Sequence, residues 1–407
     1  MASEPRPVSG APRNPGSQSA LRQQNQRRIV QALSSVGPLT QAELSRHTGL
    51  STATVSNLVR IMSDDGLVTT APTTSSGRRA TSVQLNSEGA VAVGIDVGRS
   101  HVRVVLASLD YRVVAEGAAR LPLGHRAEEG VQAATSLLTG LLAETGLPPS
   151  AVIGAGVGIP GPIDSRSGAV IQGAILPEWV GIKILDMLQN ALQVPAYVDN
   201  DANLGALAQI TWGEHTAVQN LVFIKIGSGI GSGLILDGSL FYGAIGVTGE
   251  IGHTIIAEHG LVCRCGNRGC LETMASTTTM MELLARRNPA PATVDDILRL
   301  AHEGDPATLR VVDDAGLAVG RAAAVVANLL NPEVIVIGGP LAGLGDLLLD
   351  PVRRGLLRHV VPAVGATTEV VMSSLGNRAE ALGAAALVLQ HQGIPTLLNR
   401  GLGARTG

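Results

Sequence analysis

One structural device occurs twice in this 407-residue chain, and it constrains the fold more than any other feature. Val91-Ala92-Val93-Gly94-Ile95-Asp96 reads as a buried strand, turns at Val97-Gly98-Arg99-Ser100, and returns as His101-Val102-Arg103-Val104-Val105-Leu106. A third strand follows over Arg112 to Ala115. About 130 residues later Leu221-Val222-Phe223-Ile224-Lys225-Ile226 turns through Gly227-Ser228-Gly229-Ile230-Gly231-Ser232-Gly233 into Leu234-Ile235-Leu236. Two such hairpins facing each other across a cleft make a phosphate clamp. Backbone N–H groups of Gly-rich turns point inward, and no Cβ blocks the approaching oxygens. A tight hairpin without a ligand is the plainer reading of either turn alone. The second turn is not a Walker loop, because no Gly-Lys-Ser/Thr follows it.

Two further segments lie between the hairpins. Gly156-Val157-Gly158-Ile159-Pro160-Gly161-Pro162-Ile163-Asp164 is a strand ending in a rigid loop. Val198-Asp199-Asn200-Asp201-Ala202-Asn203 closes another strand and opens a helix. Open α/β sheets grip ligands at the C-terminal ends of their strands. An aspartate there, near a sugar hydroxyl, can act as general base for phosphoryl transfer. Asp199 and Asp201 can equally cap the helix.

All three cysteines fall within eight positions, as Cys263-Arg264-Cys265-Gly266-Asn267-Arg268-Gly269-Cys270, and His253 stands ten residues upstream. This is a Cys3His set, and Zn²⁺ takes four such ligands at tetrahedral corners. The glycines let a short loop fold back so that three thiolates converge. Glu250 and Glu272 bracket the cluster, so a closed structural site holds both carboxylates rigidly. Three reduced cysteines without a metal are the bland alternative, and an odd count argues against disulfides.

Aromatic residues make up 2% of the chain and hydrophobic residues 45%, so Leu, Val, Ile and Ala must fill the core. No run of about 20 apolar residues is uninterrupted, so no membrane partner is expected. Residues 1–18 are Pro-, Ser- and Gly-rich without an apolar h-region, which reads as a disordered leader and a cytoplasmic protein. The net charge of −3 conceals an asymmetry: residues 1–87 hold nine arginines and four acids, +5, leaving −8 for the rest. A basic module on an acidic body suggests a nucleic-acid partner for the first part only.

That first part has helical periodicity from Leu21 through Ile29, Val30 and Leu33, ending at Gly37-Pro38. Thr40 caps a second helix with Glu43 at the capping-box position. After Gly49, Ser51 caps a third helix that buries Val55, Leu58, Val59 and Met62. Its other face shows Thr52, Ala53, Ser56, Asn57 and Arg60: small residues let a helix sink into the major groove, and Asn and Arg read base edges. Leu67 to Thr70 and Thr81 to Leu85 read as a two-stranded wing, its tip Ser75-Ser76-Gly77-Arg78-Arg79 suited to phosphate or minor-groove contact. The expected domains are a winged helix-turn-helix over 19–87, a body over 88–398 and a flexible tail over 399–407. The body divides into a small lobe of about 88–198 plus the C-terminal helix, and a large lobe of about 199–378.

Together, Glu250-Ile251-Gly252-His253 and Cys263-x-Cys265-Gly-x-x-Gly-Cys270-x-Glu272 resemble the motifs of the ROK family (repressors, open reading frames and kinases), transcription-factor branch. The resemblance runs from about Leu21 to about Leu389. It implies an actin-like, two-lobed α/β sugar-kinase fold for the body, behind the winged helix-turn-helix. Asp96 and Gly98 match the family's first phosphate motif, and Gly227, Ser228, Gly229 and Gly231 fall in the second. Asp201 matches the catalytic base. Asn200, Glu250, His253 and Glu272 match residues that bond sugar hydroxyls, with Asp201 beside them. His253, Cys263, Cys265 and Cys270 match the zinc ligands, and one imidazole nitrogen of His253 can serve the metal while the other faces the ligand.

Departures from the kinase pattern point away from catalysis. Arg99 replaces a glycine where backbone must approach nucleotide phosphates, and there it either crowds ATP or binds a phosphate on the sugar; Ile337-Gly338-Gly339-Pro340 replaces a more Gly-rich loop. Gln172-Gly173-Ala174-Ile175-Leu176-Pro177 also departs from the family's usual Asn-containing pattern, which bears on the identity of the sugar and not on catalysis. The expectation is therefore a sugar- or sugar-phosphate-responsive regulator, a repressor of carbohydrate metabolism genes, with structural Zn²⁺ and without use of ATP/Mg²⁺. It acts as a homodimer or homotetramer on an inverted-repeat operator, nucleoid-associated when bound to DNA. The alternatives are an active ATP-dependent sugar kinase with an accessory N-terminal module, and a regulator that answers only to protein partners.

Overall fold

The computed structural model describes residues 18–75, 78–164, 168–171, 175–286 and 290–394. The tail over 399–407, all but the last residue of the expected leader, Ser76-Gly77 at the wing tip and Gln172-Gly173-Ala174 lie outside the described residues.

Local signals build the N-terminal module. Helix α1 (Gln18–Val36) leads to the short strand β1 (Leu39–Thr40) and helix α2 (Gln41–Thr48). Thr40 and Glu43 close a reciprocal capping box at the start of α2, and Gly49 ends it in the left-handed conformation. Ser51 caps α3 (Thr52–Asp64) by accepting from the Thr54 amide at 3.2 Å. Val55, Leu58, Val59 and Met62 of α3 pack with Ile29, Val30, Leu33 and Leu44. Strands β2 (Val68–Ser75) and β3 (Arg78–Leu85) form the wing. The wing sheet has three strands where the sequence suggested two, because β1 pairs antiparallel with β3 through Leu39 and Val83. A two-residue strand carries too few positions to show a period.

The body opens with the first sheet: β4 (Val91–Val97), β5 (His101–Ser108), β6 (Val113–Arg120), helix α4 (Ala127–Thr145), β7 (Val152–Ile159), helix α5 (Ile184–Leu192) and β8 (Ala196–Asn200). After α6 (Asp201–Thr211) comes the second: β9 (Leu221–Ile226), β10 (Ile230–Leu236) and β11 (Ser239–Leu240). Helices α7 (Glu272–Ala275), α8 (Thr277–Leu283), α9 (Val294–His302) and α10 (Pro306–Leu330) follow, then β12 (Val334–Gly338), α11 (Asp346–Leu357), α12 (Pro362–Gly365), β13 (Glu369–Met372) and α13 (Ala379–His391). The strand orders are β6-β5-β4-β7-β8 and β11-β10-β9-β12-β13. In each sheet the first three strands pair antiparallel and the last two run parallel to the first. The repeated hairpin is thus the visible part of a repeated five-stranded sheet. Strand β6 runs well past the expected Ala115, because its outer half alternates half-buried Gly117 and Ala119 with exposed Glu116, Ala118 and Arg120 and lacks an apolar run.

Helices α6 and α13 lie between the sheets, and nearly all their residues are buried. Close backbone approach explains their small-residue composition. A Cβ on Gly94 of β4 would sit 1.9 Å from the Ala381 carbonyl oxygen of α13, and one on Gly383 would sit 1.8 Å from that of Leu204 in α6. Each sheet has its own core: Val93, Ile95, Val157 and Trp179 in the first, Val222, Ile224, Ile335 and Val352 in the second. The N-terminal module shares a core with the body, where Ile29, Val30 and Leu33 join Tyr111, Val388, Leu389 and Ile394. Among the described residues no helix is long and apolar enough to cross a membrane.

Candidate functional site

Strand β8 delivers three polar residues to the start of α6. Asn200, not Asp199 or Asp201, caps the helix: its Oδ1 accepts from the amides of Ala202 at 2.9 Å and Asn203 at 3.3 Å. Its Nδ2 donates to the Gly161 carbonyl at 2.9 Å, tying the loop after β7 to the cleft. Asp199 turns away and accepts from the Asn200 amide (2.7 Å), Asn203 Nδ2 (2.9 Å) and the Tyr242 hydroxyl (2.6 Å). Burial pushes its carboxyl above the usual range and the Tyr242 phenol well above its own.

Asp201 projects into the cleft between the sheets. Its Oδ2 accepts from Lys225 Nζ of β9 at 2.8 Å, and Glu380 Oε1 of α13 lies 3.2 Å from the same ammonium. Burial opposes the charge on Lys225, but Asp201, Glu380 and Asp96 together raise its pKa well above the ordinary range. On the other side Asp96 accepts from His101 Nε2 at 2.9 Å. Burial opposes the Asp96 charge too, yet Lys225 and His101 hold the carboxyl below its usual range. Sequence reasoning passed over Lys225, although it is one of two lysines in the chain. That scarcity was the only available signal.

Glu250 lies beside this group. Burial, with Asp201 and Glu272 adding to it, raises its carboxyl above the usual range, while His253 at 3.8 Å pulls the other way. Glu272, at the start of α7, is docked on two sides. Arg264 Nε and Nη2 reach its Oε1 at 2.9 and 2.8 Å, and the Ile230 amide donates to its Oε2 at 3.3 Å. The structure therefore draws Asp201, Glu250, His253 and Glu272 to one end of the cleft. Asn200 stands behind them as the cap. Arg264 joins them without having been singled out.

Of the two turns, the second adjoins this group: a Cβ on Gly229 would meet Glu272 Oε2 at 2.6 Å. In the first, the Gly98 amide donates to the His101 carbonyl at 2.9 Å. In the second, Gly227 N–H donates to Gly229 O at 2.9 Å, and Thr278 Oγ1 donates to Ser228 O at 3.2 Å. Gly231 lies outside this turn, within β10, where a Cβ would meet Ala202 Cβ at 3.3 Å. Arg99 spans the gap: its Nη1 lies 3.5 Å from Thr278 Oγ1, linking the first turn to the element that supports the second. A Cβ on Gly227 would meet Pro340 Cδ at 3.8 Å, which brings the Gly338-Gly339-Pro340 segment to the second turn.

The cysteine loop folds as its glycines allow. Gly269 has φ +71°, and any Cβ there would strike the Ala257 carbonyl oxygen. His253 Nδ1 lies 3.7 Å from Cys263 Sγ, and Cys265 Sγ lies 3.7 Å from Cys270 Sγ. One donor atom from each of the four residues falls within 4.8 Å of all the others. Burial, with the neighbouring thiols, pushes Cys270 up to about 12, a cost that a bound cation removes by stabilising thiolates. The set fits a metal ion. His253 presents Nδ1 to the cysteines and Nε2 to Glu250, joining the metal cluster to the cleft.

On the N-terminal module, Thr52, Ser56, Asn57 and Arg60 are exposed along one face of α3. Arg60 Nη2 donates to Asn57 Oδ1 at 3.2 Å, and its Nη1 lies 3.5 Å from Asp64 Oδ2. Arg79 is exposed on the wing; the Arg78 side chain lies outside the described residues.

Residues 92–391 match the ROK family and residues 22–79 match the MarR family. The chain is 29% identical over 389 residues to a xylose repressor of Caldicellulosiruptor bescii, covering 92% of this chain and 97% of that protein. It is 35% identical over 258 residues to a glucokinase of Halalkalibacterium halodurans, covering 60% of this chain and 78% of that one. The crystal structure of a ROK family transcriptional regulator, a homolog of the E. coli MLC protein, aligns with a TM-score of 0.74 at 26% identity, over 94% of this chain and 99% of that one. The family match takes in both five-stranded sheets and the helices packed between them: this chain belongs to the ROK family.

Proposed function

We propose that this chain is a DNA-binding transcriptional regulator that responds to a sugar or sugar phosphate and represses genes of carbohydrate metabolism. One observation carries the reading: an exposed helix-turn-helix face is fused through a shared core to a body that gathers Asp201, Glu250, His253 and Glu272. The likeness to a xylose repressor along 92% of this chain, against 60% for the glucokinase, supports it. Residues 19–87 form the DNA-binding unit and 88–398 the sensor. Asn200, Asp201, Glu250, His253 and Glu272 pair with ring hydroxyls, and a missing hydroxyl leaves a buried partner unpaired, which makes recognition sharp. Zn²⁺ held by His253, Cys263, Cys265 and Cys270 fixes the loop that carries Arg264 and leads into Glu272.

Two protomers place two α3 helices on an inverted repeat. Ligand binding closes the cleft and lowers operator affinity if the closed state spaces those helices badly. The body meets the N-terminal module at Tyr111 and Ile394, which share a core with Ile29, Val30 and Leu33. Trp212, which ends α6, donates to the Tyr111 carbonyl at 2.6 Å; Tyr111 donates to Ile394 O at 3.1 Å; and His391 stacks on Tyr197 with ring centroids 4.0 Å apart. The experiment is a thermal-shift screen against sugars and phosphosugars, followed by DNA release. A ligand at 100 times Kd adds about 2.7 kcal/mol. The ligand found must also free DNA selected by the protein from a random pool. Retained binding after deletion of residues 1–87 overturns the reading. Sugar-dependent ATP turnover abolished by Asp201→Ala would favour a kinase.

A further inference from the structure

We propose that Lys225 is the built-in cation of the cleft. Its ammonium takes the place that a divalent metal needs for phosphoryl transfer and holds Asp201 as a fixed hydroxyl acceptor, so it is a positioning residue for ligand recognition. This rests on the regulator reading above and names the residue that separates it from catalysis.

Two carboxylates meet at Lys225, Asp201 from α6 and Glu380 from α13, and a third, Asp96 from β4, acts on its charge. Such hard oxygen donors suit Mg²⁺ or Mn²⁺, and phosphoryl transfer uses a metal to bridge phosphates to protein carboxylates. Lys225 Nζ instead lies 2.8 Å from Asp201 Oδ2 and 3.2 Å from Glu380 Oε1. His101 supplies the partner for Asp96 Oδ2, while the buried Asp96 Oδ1 has no hydrogen-bond partner. Arg103, opposite Asp96 in the β4–β5 ladder, adds another positive charge. Among the described residues an ammonium, a guanidinium and an imidazole therefore already offset these carboxylates, which disfavours a dication there. Asp201 Oδ2 accepts from the ammonium, and its remaining lone pair still accepts a hydroxyl hydrogen bond. Lys225 thereby fixes Asp201 as an acceptor.

The test measures Mn²⁺ binding to the full chain by electron paramagnetic resonance, for wild type, Lys225→Arg, Lys225→Met and Lys225→Met with Asp201→Asn. Lys225→Met is expected to gain one Mn²⁺ site per chain, at least about 100-fold tighter than any wild-type binding at the cleft. Lys225→Arg gains none, and the double variant loses the new site. Mn²⁺ also raises the thermal midpoint of Lys225→Met and not that of wild type. A folded Lys225→Met with no new site overturns the proposal. So does failure of both Lys225→Met and Lys225→Thr to fold in Mn²⁺-supplemented medium, because the metal then does not substitute for the ammonium. The readout needs neither sugar nor DNA, so its failure is distinct from failure of operator release.

Discussion

Arg79→Ala and Asn57→Ala separate two kinds of DNA contact on one module. Arg79 is exposed on the wing, and Asn57 is exposed on α3 within 3.2 Å of Arg60. In the proposed wing contact each Arg79 neutralises one phosphate, and each neutralised phosphate contributes about 0.9 to the slope of log affinity against log salt. On a dimeric operator, Arg79→Ala therefore removes about 1.8 from that slope. Between about 50 and 200 mM salt, the deficit of the variant relative to wild type shrinks by about 12-fold. Asn57→Ala leaves the slope unchanged and costs about 1–3 kcal/mol of base discrimination per half-site, so about 2–6 kcal/mol for the operator. Fluorescence anisotropy with the selected operator and a scrambled duplex, at both salt concentrations, reads both quantities. Equal salt slopes for Arg79→Ala and wild type refute the wing contact. A uniform loss on both duplexes for Asn57→Ala refutes base reading by α3.

Cys265→Ser is expected to lose about one Zn²⁺ per chain and the effector response together; elemental analysis of protein purified without chelator checks this, and a metal-free protein that still responds refutes it. Glu272→Ala removes the partner held by Arg264 and the acceptor of the buried Ile230 amide. The stranded amide costs about 1–3 kcal/mol. The sugar-induced thermal shift also disappears, whereas Glu272→Gln, which keeps an acceptor for the amide, is destabilised less. His101 gives a pH prediction. Burial opposes its charge, but Asp96, assisted by Glu380 and opposed by Lys225, holds its pKa above the ordinary 6.5. A raised folded-state pKa contributes stability that is full below the unfolded value and fades as pH rises through the folded value. The thermal midpoint of wild type should therefore fall relative to His101→Gln as pH rises above about 6.5, and parallel curves would refute the pairing.

Much of the site was legible because its signals are local. The capping box of Thr40 and Glu43, the Ser51 cap and the left-handed Gly49 each depend on residues within a turn of one another. The cysteine cluster lies within eight positions, so chain geometry alone brings its thiols near each other. Lys225 was illegible for the opposite reason. Within an apolar strand a single lysine reads as a solvated interruption, and Asp201 stands 24 residues away at the head of a helix.

By itself the sequence determined the duplicated strand–turn–strand plan, the helix-turn-helix with its basic wing, and the His253–Cys263–Cys265–Cys270 cluster that could hold a metal. Short-range hydrogen bonding and backbone freedom demand particular residues at fixed offsets, whatever the rest of the chain does. Only the tertiary structure decided that β1 completes the wing sheet, that Arg264 covers Glu272, and that one ammonium sits between carboxylates of both halves. A buried charge must find its counter-charge among whatever elements packing brings to it. In this molecule α6 and α13 carry Asp201 and Glu380 between the two sheets, and that layered packing, set by the close approach of small residues, places both against Lys225.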